Sequence, residues 1–219
     1  MLEKTLKLNF LAGIGLAMLL PTFAHAQLLE SWENSLDGWT FNPSYNTQAG
    51  FTQGFSNTTG VTNGSYSLSI TSQGPGPNYG QIMEGPYLQS WTTALGNASS
   101  VSMDVDTTPA AFGYFLQLDL EINNNDTGFV SIDGYAYPSA TIGSESTVTW
   151  NVSPSIAATL AASSNPTQID ISAGGGSGGG TMYWDNLRAN PVPEPMTIGT
   201  MVTGCGMLML RRHRKSVAA

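Results

Sequence analysis

Between residues 27 and 190 the side chains able to do chemistry are thirteen carboxylates and one base, Arg188, with no histidine, lysine or cysteine. Ser-His and Cys-His catalysis and Schiff-base formation each need one of the missing side chains, and zinc is ordinarily held by His or Cys. What remains is carboxylate chemistry. Carboxylates accept hydrogen bonds from hydroxyl groups, ligate calcium through oxygen, and hydrolyse glycosidic bonds when a pair is held at the right separation. No spacing in the chain fixes such a pair, so the reading is a protein that is not an enzyme, with a carboxylate-dependent glycosidase as a lesser alternative. No organic cofactor is expected. The twelve net negative charges of this stretch lack the cations that phosphate neutralisation demands, which excludes nucleic acid as a partner.

The most informative hairpin for such groups lies in 114–137. Tyr114, Leu116, Leu118, Leu120 and Ile122 share one face of a strand, and Val130, Ile132 and Ala136 continue it beyond a loop at Asn123–Thr127. The other face carries Phe115, Gln117, Asp119 and Glu121, then Phe129, Ser131, Asp133, Tyr135 and Tyr137. The five-residue loop favours Asp119 opposite Ser131 over Asp133, because facing carboxylates repel. Two readings fit this face. It is either the solvated side of an antiparallel sheet, or a platform where flat rings stack on sugars while carboxylates and amides bond hydroxyls. On the second reading the carbohydrate-binding residues are Gln117, Asp119, Asp133, Tyr135 and Tyr137, joined by Trp39, Tyr79, Tyr87 and Trp91 as exposed aromatics. Trp150 and Trp184 fall on strand-like segments and are expected in the core.

The elements that must position these groups are strands. Tyr66, Leu68 and Ile70 alternate with serines, Val101, Met103 and Val105 with Ser102, Asp104 and Asp106, and Val148, Trp150 and Val152 with Thr149 and Asn151. Gly/Pro/Asn/Ser clusters at 71–80, 123–128, 138–146 and 173–180 separate them. The pattern predicts an all-β fold, an antiparallel β-sandwich or jelly roll. Only 155–162 reads as helix, with Ser153 as cap and Pro154 at the first helical position. The Gly-rich run 174–180 lacks the Lys and following helix of a phosphate-binding loop and reads as a connector.

Three segments carry a resemblance: Glu30 to Trp39 (ESWENSLDGW), Val61 to Ile70 (VTNGSYSLSI) and Met182 to Arg188 (MYWDNLR). They resemble jelly-roll carbohydrate-binding modules of the galactose-binding-like type. That resemblance implies a structural calcium held by a Glu of the first strand and an Asp of the last, here Glu33 and Asp185. The alternative is that these carboxylates are simply hydrogen-bonded.

Both ends of the chain read as processing devices. Lys4 and Lys7 precede an apolar core from Phe10 to Leu20, and Ala24, His25 and Ala26 fit signal peptidase, which would cut between Ala26 and Gln27. At the other end Val192, Pro193, Glu194 and Pro195 precede an apolar run over 196–210 and a basic cluster over 211–215. This order resembles the PEP-CTERM sorting signal of Gram-negative bacteria, which implies processing by an exosortase-type membrane enzyme. The run of fifteen residues makes about 22 Å of helix against a hydrocarbon core of about 30 Å, which suits a transient anchor; a permanent single-pass anchor is the alternative.

The organisation expected is thus a signal peptide at 1–26, a sandwich domain at 27–190 and a sorting segment with a hydrophobic helix at 191–219. The function expected is non-enzymatic binding of exopolysaccharide at the cell surface or in the extracellular matrix. A structural or adhesive protein without a glycan site is the main alternative. Ice binding is the weaker one, since Thr147 and Thr149 are too small an array.

Overall fold

Alternation at period two puts one side of each strand in the core, and the chain obeys it across two sheets. The computed structural model describes residues 25–41, 51–72, 78–107, 116–138, 145–175 and 180–192. One sheet has the order β3 (Phe51–Ser56), β4 (Ser67–Ser72), β11 (Gly180–Pro191), β6 (Ala98–Thr107) and β9 (Ser146–Asn151), with β1 (Gln27–Glu30) also on β11. The other runs β2 (Thr40–Phe41), β5 (Asn78–Glu84), β10 (Gln168–Gly175), β7 (Leu116–Asn124) and β8 (Gly128–Ala136). Among the described residues every pairing is antiparallel. The expected all-β sandwich is therefore the fold.

Leu68, Ile70, Val101, Met103, Val105, Val148, Trp150 and Trp184 of the first sheet are buried with Met83, Leu118, Leu120, Ile122, Ile169 and Ile171 of the second. Each such side chain contributes about 1.5–3 kcal/mol by leaving water. Trp150 and Trp184 lie in this core, as their alternation predicts. Residues His25–Val192 form one compact unit that contains the whole of this core.

Among the described residues two helices, not one, complete the unit. The helix predicted near 155–162 is α2 (Pro154–Ala162), where Ser153 Oγ accepts the Ile156 N–H at 3.3 Å. The other is α1 (Gln89–Gly96), whose buried Trp91, Ala94 and Leu95 recur at helical spacing.

That helix and a turn correct two expected exposures. Trp39 and Trp91 are each only 3% exposed. A turn closed by the Trp39 N–H on the Leu36 carbonyl (2.7 Å) folds Trp39 inward, and α1 points Trp91 at it with ring centroids 5.5 Å apart. Trp32 packs on Trp39 at the same separation. Both residues are therefore core and leave the candidate platform.

Ala26 and Gln27 are exposed, and β1 starts at Gln27. Val192 is exposed. The apolar segment 10–20, Pro193, Glu194, Pro195 and the run 196–210 lie outside the described residues. Among the described residues no helix is long and apolar enough to cross a membrane.

Candidate functional site

The outward face of the second sheet gathers the polar groups. Because Leu118, Leu120 and Ile122 point inward, Gln117, Asp119, Glu121 and Asn123 of β7 point out. Pairing extends this face across strands. Gly174, Ser172, Asp170 and Gln168 of β10 stand opposite those four residues in turn. On the far side of β10, Glu84 of β5 lies opposite Asp170 and Tyr79 opposite Gly174. Towards β8, Asn123 faces Phe129, Glu121 faces Ser131, and Asp119 faces Tyr135.

The register of the hairpin differs from the one expected. Between the pairs Asp119–Tyr135 and Glu121–Ser131, β7 advances two residues while β8 advances four. A regular ladder continuing from Glu121–Ser131 would have set Asp119 against Asp133. The bulge, with Gly134 at φ +80, removes that facing pair and turns Asp133 away. Asp133 instead accepts the backbone N–H and side-chain amide of Asn151 on β9, both at 2.8 Å. It joins the edges of the two sheets and is not part of the face. Asp119 still meets Ser131, whose hydroxyl donates at 2.6 Å.

The groups on the face grade from a buried centre to an exposed rim. Asp170, Ser172 and Asp119 are buried. Burial pushes the Asp119 carboxyl above its ordinary value despite the Ser131 and Leu120 hydrogen bonds. Glu121, which accepts from the Ser172 hydroxyl at 2.7 Å, is likewise raised by burial, and the neighbouring Asp119 charge adds to the rise. On the rim Phe129, Tyr135 and Tyr137 are 54%, 48% and 63% exposed. Tyr87, also about half exposed, accepts the Asn123 amide N–H on its hydroxyl at 2.8 Å. The Phe129 and Tyr135 positions lie four β7 residues apart, about 13 Å along the strand. Rings at both ends and hydrogen-bond acceptors between them suit an extended polyhydroxyl ligand.

Of the residues singled out in the sequence, the structure thus brings together Gln117, Asp119, Tyr87 and Tyr135 and keeps Tyr137 exposed just past β8. Tyr79 has a register position on the same sheet. Glu84, Asp170 and Ser172 were not singled out. The alternation of Ile169, Ile171 and Ala173 with Asp170 and Ser172 marks the strand, but only its place between β5 and β7 shows where those polar groups go.

Glu33 and Asp185 lie elsewhere and share one task. Asp185 Oδ2 accepts the backbone N–H groups of Thr62 (2.6 Å) and Asn63 (2.7 Å), while Oδ1 accepts the Asn186 N–H (2.6 Å). Burial nonetheless raises the Asp185 carboxyl. Glu33 accepts the Ser65 N–H at 2.8 Å, and Gly64, at φ +75, comes so close beneath it that a Cβ would collide. Calcium takes about six to eight oxygen ligands. Asp185 Oδ2 is engaged by two backbone donors and Oδ1 by one, and among the described residues no group of three Asp, Glu, His or Cys could hold a metal. The arrangement is a hydrogen-bonded clasp on the 62–65 segment.

Beside this clasp, Arg188 pairs with Asp104 at 3.0 Å. Burial would raise the Asp104 carboxyl, but Arg188, Thr147, Asn186 and Thr62 donate to it and hold it below its ordinary value.

No family model matches the chain, and no curated protein matches it. Solved structures do. A carbohydrate-binding module of the β-sandwich superfamily, from work on promiscuous specificity, superposes with a TM-score of 0.51 at 14% identity, over 78% of this chain and 64% of that one. The present chain therefore spans just under two thirds of that protein. The module CBM27-1 of Caldicellulosiruptor saccharolyticus, solved with mannohexaose, superposes with a TM-score of 0.52 at 12% identity, over 78% of this chain and all of the other. At these identities the likeness establishes a shared β-sandwich fold.

Proposed function

We propose that residues 27–190 form an exported, non-catalytic module that binds exopolysaccharide through the outward face of β5, β10, β7 and β8. The observation that carries this reading is the exposure of Tyr87, Phe129 and Tyr135 around Gln117, Asp119, Glu121 and Asn123. Exposed rings in such number on one face serve stacking, and acceptors between them orient hydroxyl donors. That two modules of this fold are described as carbohydrate-binding supports the reading by analogy of fold.

The ends of the chain supply the address. Signal peptidase would free Gln27, the residue at which β1 begins, and an exosortase-type enzyme would act at the motif Val192 to Pro195. The membrane would be a transient partner through 196–210. The site of action would then be the cell surface or extracellular matrix of a Gram-negative bacterium.

The reading is tested by affinity electrophoresis of residues 25–192 in gels containing soluble polysaccharides. Retardation by at least one polymer, with no new reducing ends on incubation, is the expected result. A folded protein that no polymer retards, the host's exopolysaccharide included, would leave a structural or adhesive role in its place.

A further inference from the structure

The charge on the proposed face sorts polysaccharides. Glu84, Asp170 and Glu121 lie side by side across three strands, and Asp119 is the next outward residue on β7. Neighbouring strands are about 4.8 Å apart, so any sugar lying over Glu121 also feels the charge of its neighbours, although Asp170 and Asp119 are buried beneath the surface. Within residues 27–190 no Lys or Arg offsets their charge, since Arg188 is the only base of that stretch and it is held by Asp104 on the other sheet. Ionised carboxylates only accept hydrogen bonds. The face therefore rewards a ligand that brings hydroxyl donors and penalises one that brings its own negative charge.

We infer that the module selects uncharged polysaccharides and rejects chains bearing carboxylate or sulfate groups. The inference rests on the glycan-binding reading above and makes it narrower. It also opposes an easy guess, that an acidic matrix protein is bridged by divalent cations to an acidic matrix polymer. Such bridging would need the carboxylates to share a cation with the polymer, whereas Ser131 and Ser172 already donate to Asp119 and Glu121.

The test uses neutral β-glucan, mannan and galactan, each compared with the same polymer after oxidation of its primary alcohols to carboxylates. Retardation of residues 25–192 is measured at low salt, at high salt, and with calcium. The expected result is at least tenfold weaker retention by the oxidised form of whichever polymer binds. That gap should narrow as salt screens the repulsion, and it should narrow also in Glu121→Gln, which removes one charge at nearly constant shape. Equal or stronger retention by an oxidised polymer, with or without calcium, overturns this inference and leaves the binding reading standing. No retention by any polymer, with the protein folded, overturns both.

Discussion

Asp119 stands opposite Tyr135, and not opposite Asp133, because β8 spends two additional residues between its pairings with Asp119 and Glu121. The bulge does three things together. It keeps two carboxylates apart, sends Asp133 to the Asn151 amide on the neighbouring sheet, and sets an exposed ring directly beside a buried acceptor. The hydrogen-bonding chemistry of the face and the closure of the sandwich edge thus depend on one local irregularity.

Gly134 makes that irregularity cheap. Its φ of +80 lies in the left-handed region, and a Cβ there would meet nothing within 4 Å. Gly134→Ala should therefore cost only the backbone term, about 1–2 kcal/mol, read as a lower urea midpoint with an unchanged slope. A loss near zero would mean that the bulge relaxes into a regular ladder.

The aromatic residues should divide into two groups by what they support. Trp39→Ala and Trp91→Ala open cavities in the core and should each cost about 3–5 kcal/mol. Tyr135→Ala and Tyr137→Ala remove exposed rings and should change stability by about 0.5 kcal/mol or less. Thermal or urea unfolding of the four variants checks the division.

The clasp on residues 62–65 should work without metal. Asp185→Ala would strand the part-buried N–H groups of Thr62, Asn63 and Asn186 and should cost about 1–3 kcal/mol, the range for a donor left without a partner. Chelator should leave the melting temperature of the unmodified protein where it was. A rise in melting temperature on adding calcium would contradict the hydrogen-bonded account.

Stability should peak in mildly acidic solution. The carboxyls of Glu30, Asp119, Glu121 and Asp185 are raised in the fold, each chiefly by burial. For a raised group the folded state binds the proton more tightly than the unfolded one, so stability is lost as pH climbs through the folded value and recovered on descent. Asp104 has the opposite sign, since its bonds to Arg188, Thr147, Asn186 and Thr62 outweigh burial and lower it. Its contribution is lost once pH falls through that lowered value. Melting curves from neutral pH downward should therefore rise first and then fall.

Much of this was legible in the chain and some was not. The strands at 66–70, 101–105 and 148–152 follow from strict alternation, and so does the polar face of β7. The bulge at Asp133 and Gly134 was hidden because a two-residue excess preserves the alternation of inward and outward side chains; the glycine inside a strand was its only mark. Asp170 and Ser172 could be assigned to a strand but not to the face, because β10 reaches β5 and β7 from a distant part of the chain. Trp39 and Trp91 misled because turn residues surround the first, and the second sits on a short helix with no acidic first turn or basic last turn. The Asp185 clasp depends on backbone N–H groups 122 and 123 residues away, which no local pattern reports.

The central claim is that the β7–β8 face binds glycan through its exposed rings. The most direct measurement is retention of residues 25–192 on the host's exopolysaccharide, beside the double variant Tyr135→Ala/Tyr137→Ala with its melting temperature checked. The account predicts retention of the unmodified protein and at least a tenfold loss in the variant, with the fold intact. Equal retention of the two proteins would contradict it.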